Sequence, residues 1–171
     1  VKKIFFSPRL LARAVFADPE LTLGLPKAVT AATGMDALTH CIEAFLARDY
    51  HPIADGIALE GLRVGAAALP RCYEKGDDLA ARGDMMMASM MGDLHHCYAN
   101  GVMIDHAPRF NLERPRARPA RMAMTIGLPE HTGEAFLSWL RSLKQRLGIP
   151  AGLSGTKVPR EALERLSLLA F

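Results

Sequence analysis

Apolar residues recur along most of this chain at intervals of three and four, the period of a helix with one buried face. The pattern is strongest at Phe136, Leu137, Leu140, Leu143 and Leu147, which fall on one stripe behind Thr132-Gly133-Glu134. Gly148 and Pro150 stop that helix, and Trp139 sits beside the stripe at the edge of a core. A long helix is expected from Pro26 to about Arg48, with Pro26 in the first turn, where its missing N–H had no partner to lose. A second spans about Pro52 to Ala68, with Ile57, Leu59, Leu62 and Val64 apolar, and Pro70 ends or kinks it. Asp77-Asp78-Leu79 brings negative charge to the start of a third, which runs to about Met91. Asn100 up to Pro108, Ala117 to Ile126, and a segment opening at Val158-Pro159 read as further helices. Only near the start does the period change: Lys3–Ser7 and Ala14–Asp18 read as two short strands around Pro8. The expected fold is an all-α helical bundle with a short N-terminal β segment. Residues 1–25 are the β appendage and connector, and residues 26–171 the helical domain.

Composition agrees with this picture. A chain of 171 residues, half of them hydrophobic, makes one domain with a sizeable core. The net charge of +3 is small, and acidic and basic residues alternate except at Arg114, Arg116, Arg118 and Arg121. That run lacks interleaved aromatics, so it reads as a solvated, Pro-broken loop and not as a nucleic-acid interface. Three cysteines, Cys41, Cys72 and Cys97, are too few and odd in number for a disulfide framework. With no signal peptide, the expected setting is cytoplasmic and reducing. No apolar run reaches the roughly 18 residues of a membrane span. The methionines between Met85 and Met91 read as adaptable core filler. A soft-metal or partner surface is the alternative, but no regular spacing with His or Cys supports it.

The candidate chemistry lies in Gly34-Met35-Asp36-Ala37-Leu38-Thr39-His40-Cys41. Asp36 and His40 are four residues apart and project from one helix face. A carboxylate and an imidazole so placed can share one divalent ion, and the mixed donors suit iron, zinc, manganese or nickel. The same spacing also makes an ordinary helix side-chain pair. Gly34 costs this helix about 1 kcal/mol relative to Ala, which points to close approach of another backbone or of a ligand.

The residues from Lys27 to Phe45 resemble the signature of the iron-containing alcohol dehydrogenases. Asp18-Pro19-Glu20-Leu21-Thr22 and Gly24-Leu25-Pro26 are similar to that family's interdomain connector, and Asp55 to Arg63 to its next helix. His96 followed by Ala99-Asn100-Gly101-Val102-Met103 resembles its His-Gly-Leu-Ala-Asn segment, with Cys97 and Tyr98 in place of Gly and an aliphatic residue. The resemblance implies Asp36, His40 and His96 as ligands of a divalent metal, iron first and zinc second. It also implies NAD(P), a small alcohol or aldehyde substrate, a homo-oligomer, and hydride exchange between an alcohol carbon and the nicotinamide ring.

Two departures limit what is implied. The family's Gly- and His-rich segment, with another metal histidine, has no counterpart, because Met91-Gly92-Asp93 runs straight into Leu94-His95-His96. An internal deletion is expected there. No Gly-x-Gly-x-x-Gly follows a strand, and the nucleotide-binding half with its ligand Asp would precede Val1. The chain is therefore expected to be inactive as a dehydrogenase on its own. The alternative is a stand-alone or degenerate helical module that binds metal or oligomerises without catalysis. Among nearby groups, His95, His51 and His106 read as surface residues. Cys97 reads as a small buried side chain or a substitute thiolate, and Glu43 as a support for the ligand pair or simply solvated.

Overall fold

One 3-10 turn and five helices account for the regular structure of the computed structural model, which describes residues 14–47, 51–102 and 117–149, less the side chains of 93–102 and 117. Asp18 accepts a hydrogen bond from the Glu20 N–H at 3.0 Å and opens the 3-10 helix Pro19–Thr22. Helix α1, Lys27–Leu46, follows. Helix α2, Pro52–Glu74, starts at His51, whose Nδ1 accepts from the Ala54 N–H at 3.2 Å. Helix α3, Leu79–Val102, starts at Asp78, whose Oδ1 accepts from the Ala81 N–H at 3.0 Å. Helix α4 is Ala117–Thr125, and α5 is Gly133–Arg146 with Thr132 Oγ1 accepting from the Ala135 N–H at 3.1 Å. Each capping atom pairs a first-turn N–H that the helix itself leaves orphaned. Gly148, with φ 67°, takes the left-handed conformation that closes α5 at low steric cost.

The all-helical architecture matches the pattern of the sequence, with four differences of detail. No strand occurs among the described residues. Residues 14–18 carry no pairing, Val15 and Phe16 are exposed, and the companion strand expected at 3–7 lies outside the description. A hairpin with no further strand or packed face is marginal. Helix α2 does not stop before Pro70 but continues to Glu74. Leu69 and Cys72, 0% and 1% exposed, anchor both sides of the proline, and their burial offsets the lost backbone hydrogen bond. Helix α3 continues past Met91 to Val102 and crosses the Asp93–Leu94 junction without a break. No proline interrupts it, and its glycines, Gly83, Gly92 and Gly101, each cost only about 1 kcal/mol, too small a penalty to end a packed helix. On α5 the buried stripe is Phe136, Leu143 and Leu147, whereas Leu137 is 45% exposed and Leu140 half-buried. The helix expected from Val158 lies outside the described residues.

The core sits where α1, α2 and α3 cross, around Leu38, Phe45, Leu62 and Leu69. Glycine brings the helices close. A Cβ on Gly61 would stand 2.8 Å from Cys41 Sγ and 2.9 Å from Met91 Cβ, and one on Gly65 would stand 2.8 Å from Leu38 Cδ2. Met122 and Phe136 bring α4 and α5 onto the same core. Met85 packs against the core as expected of adaptable filler, while Met87 is exposed. No helix among the described residues is long and apolar enough to cross a membrane.

Two arginines of the basic run are not loop residues. Arg114 and Arg116 lie outside the described residues, but Arg118 and Arg121 belong to α4. Arg118 Nη1 donates to the carbonyls of Phe45 and Ala47 at 2.5 and 2.7 Å, closing the C-terminus of α1. Its Nη2 stands 3.9 Å from Oδ2 of Asp55, a carboxylate buried in α2. The guanidinium also lies over the Phe45 ring, 5.5 Å from its centroid. Burial of Asp55 drew this arginine inward, a tertiary demand with no local trace.

Three outcomes follow. Gly61→Ala should destabilise the chain by about 1–3 kcal/mol through overpacking, while Gly56→Ala, with nothing within 4 Å of its Cβ, should stabilise it by up to about 1 kcal/mol; urea melts distinguish the two signs. Arg118→Ala should cost about 1–3 kcal/mol, since it removes the charged donor to the Phe45 and Ala47 carbonyls and the guanidinium beside Asp55. The Ala81 N–H and then Arg71 hold the Asp78 carboxyl below its usual range. A depressed pKa stabilises above the unfolded value and ceases to do so as pH falls through the folded one. Asp78→Asn keeps a capping oxygen but removes the charge. Its melting temperature should be lower than wild type at pH 7, with the gap closing towards roughly pH 3.

Candidate metal centre

Asp36 and His40 stand one turn apart on α1, as their spacing requires. Asp36 Oδ1 lies 3.9 Å from His40 Nε2, with the Asp36 side chain 72% exposed and that of His40 31%. Two ligands of a tetrahedral ion at about 2.1 Å sit roughly 3.4 Å from each other. A small rotation of either side chain reaches that separation. The pair therefore fits one side of a coordination sphere, and its donors, one carboxylate oxygen and one imidazole nitrogen, suit iron or zinc.

Helix α3 passes directly beneath. A Cβ on Gly92 would stand 3.0 Å from His40 Cβ and 3.3 Å from both the Ala37 carbonyl oxygen and the Cys41 nitrogen. Any side chain at position 92 would push α3 away from the imidazole. His96 follows one helical turn later on the same unbroken helix. Its side chain, with those of His95 and Cys97, lies outside the described residues, as does His106. Among the described residues no three His, Cys, Asp or Glu side chains gather around one point.

The remaining candidates resolve individually. Glu43 is exposed on the face of Asp36. His51 is the N-cap of α2 and not a simple surface residue. Cys41 and Cys72 are buried thiols, the first directed at the Ala88 carbonyl oxygen at 3.5 Å. Burial pushes the Cys72 thiol up, outweighing the nearby Arg82 guanidinium. The close approach at Gly34 is made by a side chain: a Cβ there would overlap Cδ1 of Leu69. Sequence reasoning passed over Arg82, 4% exposed on α3. The only trace of its burial is its place three residues before Met85, on a helix face that continues to Ser89.

The sequence model described as "Fe-containing alcohol dehydrogenase family, C-terminal" matches residues 30–95, which hold both Asp36 and His40. The 4-hydroxybutyrate dehydrogenase of Cupriavidus necator is 37% identical over 193 residues, covering 95% of this chain and 50% of that protein. The chain belongs to the C-terminal domain of the iron-containing alcohol dehydrogenase family. Alcohol dehydrogenase 4 of Saccharomyces cerevisiae is 33% identical over 88% of this chain and 46% of its own length. Among solved structures, the maleylacetate reductase of Rhizobium sp. strain MTP-10005 has a TM-score of 0.73 at 27% identity, covering 99% of this chain and 53% of that one. A 1,3-propanediol oxidoreductase structure also reaches 0.73, at 29% identity over 90% of this chain and 48% of its own. The chain thus spans about half the length of the relatives it matches. The match to the C. necator protein extends over 193 positions, more than the 171 residues present here, so that relative carries residues with no counterpart in this chain.

Proposed function

We propose that this chain carries the metal-binding half of an NAD(P)-linked alcohol dehydrogenase, with Asp36, His40 and His96 as ligands of a divalent ion, iron before zinc. The observation that carries the reading is the Asp36–His40 pair at 3.9 Å, seated on α3 at Gly92, one turn before His96. A metal held there supplies Lewis acidity towards an alcohol or carbonyl oxygen. Asp36 contributes negative charge to the cation and His40 a neutral nitrogen. The glycine contact keeps both near the helix that bears the third candidate. The relatives' names, 4-hydroxybutyrate dehydrogenase and 1,3-propanediol oxidoreductase among them, support a small alcohol or aldehyde as substrate. Nicotinamide binding belongs, on this reading, to the part of the relatives that these 171 residues do not span. The purified chain alone is therefore proposed to be inactive with NAD(P).

A second reading, a metal-binding helical module without catalysis, draws support from α3, which runs unbroken where an internal excision is proposed. Addition of a separately produced nucleotide domain distinguishes the two, since only the first reading gains alcohol-dependent NAD(P) reduction.

Metal analysis of the purified chain should find about one ion per chain, and His40→Ala or Asp36→Ala should weaken its affinity at least tenfold. A ligand bound only to the folded state raises its stability. Chelation should accordingly lower the melting temperature of the wild type and leave that of His40→Ala unchanged. Equal metal content and equal melting in the two proteins would remove the ligand assignment.

A further inference from the structure

We infer that Gly92 is a positioning residue for the Asp36–His40 pair. Its bare backbone lets α3 rest on the turn of α1 that carries both groups, and that contact fixes the shape of the turn. The inference rests on the reading of Asp36 and His40 as ligands of a divalent ion.

Two points of α3, one helical turn apart, meet this part of α1. The Ala88 carbonyl oxygen faces Cys41 Sγ at 3.5 Å. Four residues later Gly92 lies against Ala37, His40 and Cys41. Cys41 and Gly92 are both buried, so no water layer cushions the contact. The Ala37 carbonyl oxygen accepts from the Cys41 N–H in the ordinary i to i+4 bond of the helix. That bond closes a turn overlapping the one between Asp36 and His40. A Cβ at position 92 would stand 3.3 Å from each end of it and 3.0 Å from His40 Cβ.

None of those three atoms can swing aside, since two are backbone and the third is a Cβ. The nearest obstacles at Gly34 and Gly65 are of another kind, Leu69 Cδ1 and Leu38 Cδ2, the ends of side chains that can change rotamer. At Gly92 only backbone movement makes room for a methyl group, and the movement amounts to a few tenths of an ångström. Binding geometry must be held to about 0.5 Å. Asp36 Oδ1 and His40 Nε2, at 3.9 Å, must already close to roughly 3.4 Å around a tetrahedral ion. The displacement is thus of the same order as the tolerance. Groups that orient metal ligands without touching the ion typically cost about 10–100-fold in affinity when changed, and Gly92 acts in that way through the turn.

The test is a titration of the full 171-residue chain with cobalt(II) chloride, whose visible absorption reports the number and arrangement of its ligands. Gly92→Ala should bind cobalt(II) about tenfold more weakly or worse, with its absorption bands displaced. Leu143→Ala, which loses stability through a core cavity on α5, should keep the affinity and bands of the wild type. That control separates positioning from a general loss of stability, because both variants melt lower. Should Gly92→Ala not fold in buffer, the series is titrated in sucrose, which is excluded from protein surfaces and favours the compact state. Equal affinity and equal bands in Gly92→Ala and Leu143→Ala would overturn the inference. His40→Ala in the same series tells the two failures apart. If it binds cobalt(II) as the wild type does, the ligand assignment falls; if it loses the ion while Gly92→Ala keeps it, only the role of Gly92 falls.

Discussion

Contact between α1, α2 and α3 at near-backbone distance is the constraint on which the rest of this structure depends. Gly34 takes Leu69 against the α1 surface, Gly61 and Gly65 receive Cys41 and Leu38, and Gly92 takes His40. Ala31, Ala44, Ala58 and Ala88 fill the space around them. Small residues lose little side-chain entropy on burial. They yield stabilisation only if the helices touch, because dispersion falls away within an ångström of added separation. The same contact sets the height of His40 over α3.

Most of the helices could be read from local chemistry. Thr132, Asp78 and Gly148 act where capping rules put them, and the alternation of apolar and polar residues marked five segments that are helical in the structure. The misreadings share one cause. Pro70 signals a helix end locally, yet Leu69 and Cys72 are held by neighbours distant in sequence. Leu137 belongs to the apolar stripe of α5 by period, but the partners of that helix cover only the flank carrying Phe136 and Leu143. Helix α3 was expected to end near Met91, where a deletion was expected, yet it continues to Val102.

The site was legible to the same depth. Spacing alone put Asp36 and His40 side by side, and resemblance to a known family named a use for them. The region matched by the family's sequence model covers that pair and stops at residue 95. What no local pattern held was the purpose of Gly34, which serves Leu69 of another helix. The burial of Arg82 and the inward turn of the half-buried Arg118 were equally hidden. Both carry charge in stretches that look solvated, and both are drawn inward by acceptors elsewhere: Thr30 and Gly76 for one, the end of α1 and Asp55 for the other. Charged residues are assigned to the surface by default. The exceptions become visible only when the partner's position in space is known.

The unbroken course of α3 has a geometric corollary. Each residue of an α-helix turns the next by about 100° around the axis. Gly92 is pinned against α1, so the azimuth of every later position on that rod is set by counting from it. Insertion or loss of a single residue between Gly92 and His96 would swing position 96 a quarter-turn or more around the axis. Excisions in this stretch are therefore phase-sensitive: only those that preserve the register leave the later positions of α3 at the same azimuth relative to Gly92.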